Sequence, residues 1–209
     1  MVLKIGRTVD RISNSKSKTE PIRRDAKQMK YYEKITLKDG RECVLRGASG
    51  ADTAEVLRIF RLTHEQSDFL ASYPDEMTFT PESEAEYLGK KDASPDEIEI
   101  VAFIDGRAVG SAGISRIGRS VKSKHRAEFG VSVDKDFWGL GIGKALTRAC
   151  VECARTAGYA QVELEVVADN TRAISLYESF GFMEYGRNPE GFRLRGGERQ
   201  ELILMRLEL

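Results

Sequence analysis

The sequence predicts one α/β domain of three layers, a mixed β-sheet flanked by helices, over residues 31–209. Three observations carry that expectation. The chain has 209 residues, 41% hydrophobic and 32% charged, which is enough to bury a core and close to ordinary globular usage. Two Asp-Gly pairs, Asp39-Gly40 and Asp105-Gly106, sit between short β-branched or apolar runs and read as hairpin turns. From Glu128 onward the pattern alternates strand, helix, strand, helix, the order of an α/β layer.

Element by element, Ile35, Thr36 and Leu37 enter the first turn, and Cys43, Val44 and Leu45 leave it. After Asp52, the apolar residues Ala54, Leu57, Ile59, Phe60 and Leu62 recur with near-helical spacing, predicting a helix that extends to Gln66. Residues 68–80, with Tyr73-Pro74, are expected to be loop. Thr80 joins a cap residue to Pro81 at the first helical position, and Glu82, Glu84 and Glu86 suit the positive end of the helix that follows. Residues 98–104 and 107–117 form the second hairpin. Strands are expected at 128–133, 161–167, 182–186 and 201–208, and helices at 139–157 and 171–180. Arg187, Arg193, Arg195 and Arg199, spaced around Gly191 and Gly196-Gly197, mark an expected mobile loop before the last strand.

Composition excludes several classes. Apolar runs fall short of the roughly 20 residues of a membrane-spanning helix, and the first ten residues lack the apolar block of a signal peptide, so a cytoplasmic protein is expected. Cys43, Cys150 and Cys153 are too few for a disulfide framework. Cys150 and Cys153 read as small apolar residues one turn apart on a helix, and no metal site is expected. The formal charge is zero, yet residues 1–30 hold nine Lys and Arg against three Asp and Glu. They read as a flexible basic extension. No basic body stands behind it, which argues against a nucleic-acid binder.

Two blocks carry chemistry. Residues 131–146 run from a strand through a loop to Gly139, Gly141 and Gly143, which open a helix beside Lys144. Glycines there let the backbone approach a ligand, and the unpaired amides of a helix start attract phosphate. The spacing is neither that of a Rossmann fingerprint nor that of a P-loop. In the second block Asn170 precedes a helical pattern, Tyr177 lies two turns on, and Gly181 ends the helix before Phe182. Taken alone, Asn170 reads as a cap and Tyr177 as a half-buried aromatic.

Together the blocks resemble the GNAT superfamily of acetyl-CoA-dependent N-acetyltransferases, over residues 35–209 and most closely over 128–182. Trp138-Gly-Leu-Gly-Ile-Gly143 occupies the family's Arg/Gln-x-x-Gly-x-Gly/Ala loop, with Trp138 where an Arg or Gln is usual. Asn170, Ala173, Leu176, Tyr177, Gly181 and Phe182 match the family's later signature. The resemblance implies a GNAT-type fold and transfer of an acetyl group from acetyl-CoA to a primary amine, which is a small molecule, an amino acid or a protein N-terminus. It implies that Val131 and Val133 pair with the cofactor's pantetheine arm. The amides of Gly139, Gly141, Ile142, Gly143 and Lys144 would then hold its pyrophosphate, and Asn170 would bond its arm. Tyr177 would be the general acid and Glu128 the base, with Glu76 and Glu201 near the acceptor. From the residues alone, His125 reads as an alternative base or, beside Lys122, Lys124 and Arg126, as part of a surface turn. A homodimer accords with the same resemblance. The other reading is an acetyl-CoA-binding sensor or interaction module without turnover.

Overall fold

The computed structural model describes residues 28–118 and 120–209. Of the basic segment expected over residues 1–30, all but the last three lie outside the described residues. Met29 is buried and its backbone N–H donates to the Ser94 carbonyl at 2.9 Å, so the packed domain already includes it.

Both Asp-Gly pairs close hairpins. Strands β1 (Tyr32–Thr36) and β2 (Glu42–Gly47) pair antiparallel across the first. Strands β3 (Ile98–Ile104) and β4 (Arg107–Arg116) meet at Asp105 and Gly106, whose φ values of 49° and 79° supply the left-handed pair a two-residue turn requires. Between the hairpins lie α1 (Thr53–Glu65) and α2 (Pro81–Ala93). The Thr80 hydroxyl caps α2 by accepting the Ser83 amide at 3.2 Å, as the Thr-Pro pair predicts. Within the expected loop, Pro74–Glu76 forms one 3₁₀ turn.

The second half builds β5 (Arg126–Val133), α3 (Ile142–Ala157), β6 (Gln161–Val167), α4 (Thr171–Glu178), β7 (Met183–Arg193) and β8 (Arg199–Glu208). One eight-stranded sheet results, in the order β1-β2-β3-β4-β5-β6-β8-β7. Every pair is antiparallel except β5 and β6, which α3 connects. This is the mixed, helix-flanked sheet the sequence predicts.

Three expected boundaries shift for physical reasons. Helix α3 starts at Ile142 rather than at residue 139, because Gly139 and Gly141 hold φ values of 86° and 101°, outside the right-handed helical region. Helix α4 ends at Glu178 instead of 180, where Gly181, at φ 91°, turns the chain. The expected mobile loop is largely strand. β7 continues to Arg193 because Gly191 packs its bare Cα against Leu202, where a Cβ would lie only 2.3 Å from Cγ. Three of its four arginines are in ion pairs: Arg187 with Glu184 and Glu201, Arg195 with Asp75, and Arg199 with Glu190.

The sheet separates two apolar cores. On one face Ile98, Ile100, Ala102 and Ile104 pack with Leu146, Ala149 and Cys150 of α3. On the other, Val101 and Phe103 meet Val56 and Ile59 of α1 and Leu88 of α2. β3 is therefore buried on both faces and is an apolar run interrupted only by Glu99. In α3 the buried residues Ile142, Ala145, Leu146, Ala149, Cys150 and Cys153 recur at three- and four-residue spacing. Burial pushes the Cys153 thiol up to about 11 and the Cys150 thiol well above its ordinary value, as expected of packed, unreactive thiols.

The parallel pair is short and pinned at one end. Glu163 of β6 accepts two hydrogen bonds from Arg126 of β5 at 2.5 and 2.6 Å, one from Gln161 at 2.5 Å and one from Tyr185 of β7 at 3.3 Å. Burial alone would raise its carboxyl, but these donors and the Arg126 charge outweigh burial and hold it below the usual range. Such a group stabilises the fold above its unfolded pKa of about 4.3, and that contribution is lost as pH falls toward the lower folded value. The urea midpoint of the protein should therefore fall more between about pH 7 and pH 3 than that of Glu163→Gln. Equal losses would show that this carboxylate does not anchor the pair.

Candidate active site

The site begins where strand pairing stops. β5 and β6 are in register only at Arg126 with Gln161, Ala127 with Val162 and Glu128 with Glu163. Beyond Glu128, residues 129–133 keep β4 on one edge, while no β6 residue pairs with the other. An edge of this kind presents backbone N–H and C=O groups that call for partners. Beside the opening, Tyr177 is edge-on to Phe129, their ring centroids 6.1 Å apart, and Phe182 packs on both.

The opening leads into a cleft of about 440 Å³ between the first turns of α3 and α4. Val133, Trp138, Gly139, Gly141, Ile142, Gly143, Lys144 and Asn170 all line it, which brings together every residue assigned to cofactor binding except Val131. Val131 lines a small cavity on the far side of β5. At Gly141 an added Cβ would meet nothing within 4 Å, so the space before the helix is open. Lys38, from the turn between β1 and β2, also lines the cleft, and its amide donates to the Leu140 carbonyl at 3.3 Å.

Two side chains fix the chemistry of this cleft. Asn170 caps α4 by accepting the Ala173 amide at 3.3 Å, yet its own Nδ2 is buried and has no hydrogen-bond partner, with only 7% of the residue exposed. A buried amide donor without a partner costs about 1–3 kcal/mol, so this one suits a carbonyl brought by a ligand. Trp138 differs. Its indole Nε1 donates to the Val133 carbonyl at 2.7 Å, which holds the glycine loop to the end of β5 and leaves no N–H for a phosphate.

The remaining expected residues lie apart from the cleft. Tyr177 is only 1% exposed and sits in the core beside the opening. Glu128 occupies the last paired position of β5, in register with Ser115 and Glu163, and by strand alternation it shares a face with Gly130 and Ser132. Glu76 borders a second pocket of about 200 Å³, where Asp68, Leu70 and Tyr73 face Gly191, Phe192 and Arg193. Its carboxylate accepts the Tyr73 amide at 2.8 Å. Arg195 ties the β7–β8 turn across this pocket through two bonds to Asp75 at 2.7 Å and by stacking on Tyr73 at 4.2 Å. Glu201 is not in the pocket wall and pairs with Arg187 at 3.1 Å. His125 is exposed, and its backbone carbonyl joins the start of β6.

One buried group escaped the sequence reading. Glu99 is 4% exposed on β3, in register with Gly113, which is itself in register with Gly130 of β5. A Cβ on Gly113 would lie 2.5 Å from Glu99 Oε2, so the carboxylate extends over that glycine. It shares a small cavity with His64, Ser111 and Ser132. His64 Nδ1 donates to the Phe60 carbonyl at 2.7 Å. From α2, the buried Lys91 bonds the Ile114 carbonyl and Ser115 Oγ at 2.7 and 2.5 Å. Burial lowers its pKa, while the charges of Glu97 and Glu99 act to raise it. A charged residue within an apolar strand, followed by two glycines on neighbouring strands, was the available signal.

Among the described residues no helix is long and apolar enough to cross a membrane, and no cluster of three or more His, Cys, Asp or Glu side chains is placed to hold a metal.

Comparison with known proteins gives the same picture. The family model for the acetyltransferase (GNAT) family matches residues 59–182. The chain is 37% identical over 106 residues to the N-alpha-acetyltransferase RimI of Mycobacterium tuberculosis, covering 51% of this chain and 65% of that protein. It is 35% identical over 108 residues to the L-amino acid N-acetyltransferase AaaT of Escherichia coli, with the same two coverages. The matched region thus spans just under two thirds of each relative. A Salmonella typhimurium putative acetyltransferase, solved with its cofactor acetyl-CoA, superposes with a TM-score of 0.71 at 21% identity, covering 80% of this chain and 94% of that one. The matched segment contains the strand opening, the glycine turn and the start of α4, and it covers more than half of the sequence: the chain belongs to the GNAT acetyltransferase family.

Proposed function

We propose that this protein transfers the acetyl group of acetyl-CoA to a primary amine. The observation that carries the reading is the buried, unpartnered Nδ2 of Asn170, a residue that lines the cleft together with Val133, at the end of the open edge of β5, and the start of α3. Acetyl-CoA supplies the activated thioester. In this reading the open edge at Val131 and Val133 pairs with the amides of the pantetheine arm, and Asn170 donates to one of its carbonyls. The amides of Gly139, Gly141, Ile142, Gly143 and Lys144 face the pyrophosphate.

Tyr177 and Glu128 then divide the proton work. A phenol is a donor at neutral pH, so Tyr177, packed on Phe129 beside the opening, gives its proton to the thiolate as the C–S bond breaks, and the proton that the nitrogen loses on forming the C–N bond restores the phenol. Glu128, at the last paired position before the strands part, removes the proton of the incoming ammonium. The position of Glu99 over Gly113 favours a second candidate for that base. The acceptor enters by the pocket that Asp68 and Glu76 line with Phe192 and Arg193, where two carboxylates against one cation suit an amine with an apolar neighbour. Amino acids and peptide N-termini are the first acceptors to try, given the named activities of the two relatives.

Asn170→Asp keeps a capping oxygen and removes the donor. Calorimetric titration should show acetyl-CoA affinity reduced about tenfold or more, the scale of one lost buried hydrogen bond, with the melting temperature little changed. Unchanged affinity would remove the central support. Tyr177→Phe should lower kcat by about 10²–10⁴ while leaving acetyl-CoA affinity intact, and equal losses in both would deny it the acid role. The base is read from pH profiles of kcat/KM with amino acids and short peptides: Glu128→Gln should abolish the acidic limb. If Glu99→Gln abolishes it instead, the base is Glu99.

A further inference from the structure

We infer that Lys38, in the turn between β1 and β2, and Arg172, in the first turn of α4, form a site for the 3′-phosphate of coenzyme A, making the cofactor cleft selective for 3′-phosphorylated CoA thioesters. The inference rests on the cofactor reading above and goes beyond it by assigning the third phosphate.

The helix starts make the first argument. The positive end of a helix dipole favours anions, and a cation placed there is disfavoured. Helices α1 and α2, which face away from the cleft, follow the rule with Glu55 and with Glu82 and Glu84 in their first turns. Helices α3 and α4, whose starts line the cleft, carry no acid there and instead place Lys144 and Arg172 in their first turns. Folding alone gives no reason for two cations beside two converging positive helix ends. A bound polyanion does, and the orphaned amide of Asn170 in the same cleft points independently to a ligand.

The third cation comes from a distant part of the chain. Lys38 is held over the glycine turn because its amide bonds Leu140 and because Arg41, locked to Asp39, stacks on Phe137 at 5.0 Å. Arg172 stacks on the indole of Trp138 at 5.1 Å, with Nη2 4.0 Å from the place a Cβ on Gly139 would take. Among the described residues Lys38, Lys144 and Arg172 form no ion pair, and Asp169 is the one carboxylate in the lining.

Charge then sets the assignment. The helix amides with Lys144 match a pyrophosphate, and Trp138 has spent its N–H on Val133. Lys38 and Arg172 remain, from two separate elements, for a phosphate monoester that carries close to two negative charges at neutral pH. Both side chains are exposed, so their contribution is sensitive to salt.

The test is calorimetric titration of the full chain with acetyl-CoA and with acetyl-3′-dephospho-CoA, repeated on Lys38→Met, Arg172→Gln and the double variant. Both residues lie on the surface, and thermal melts check that each variant is folded. The protein should prefer acetyl-CoA by about tenfold or more, the scale of a charge-assisted hydrogen bond. Each substitution should reduce the preference, the double variant should bind both compounds alike, and added salt should weaken acetyl-CoA more than its dephospho form. A protein that binds both compounds equally, or a double variant that keeps the preference, would overturn the inference while leaving the cofactor reading intact. Failure to bind either compound would overturn both.

Discussion

The parallel pairing of β5 and β6 stops after three residue pairs, and the rest of the site depends on where it stops. A longer ladder would satisfy the backbone of residues 129–133 and leave no edge for a ligand. A shorter one would lose the connection between the two halves of the sheet. The closed end is pinned by one carboxylate, Glu163, which takes donors from β5, β6 and β7. Beside the open end the Phe129, Tyr177 and Phe182 rings pack on one another. Polar bonding thus pins the paired end, and apolar packing lies beside the gap in an otherwise continuous sheet.

Around the gap, several local preferences are set aside. Two cations stand in the first turns of helices, an amide donor is buried without a partner, and two glycines take left-handed backbone at the mouth of a helix. The first two are unfavourable by themselves, the third is a conformation that glycine alone adopts freely, and all three share one cleft. Sequences that otherwise satisfy capping and charge rules tend to break them where a ligand supplies the missing interaction. Helix α2, with its Thr80 cap, proline start and acidic first turn, shows that this chain follows those rules elsewhere.

Much of the fold was legible because its signals are local. The Asp-Gly turns, the Thr80-Pro81 cap and the apolar spacing of α3 depend only on neighbours in sequence, and all three appear as expected. The glycine turn and the Asn-to-Tyr block were legible as motifs, and the cleft they line holds all but one of the residues assigned to the cofactor. What could not be read depends on contacts far apart in the chain. Lys38 reaches the glycine turn across about a hundred residues, and the extension of β7 past Gly186 is set by the packing of Gly191 on Leu202. Glu99 lies within an apolar strand, and only the register with Gly113 and Gly130 shows why a carboxylate fits there. Glu201, expected from sequence near the acceptor, pairs with Arg187 and does not line the pocket beside Glu76.

Hydrogen–deuterium exchange with and without acetyl-CoA reports on the backbone amides of the site themselves. Slower exchange on adding acetyl-CoA, concentrated in residues 129–133 and 139–144 and at the start of α4, is the result this account predicts. Saturating acetyl-CoA that leaves those amides unchanged, or that protects a different surface, would contradict it.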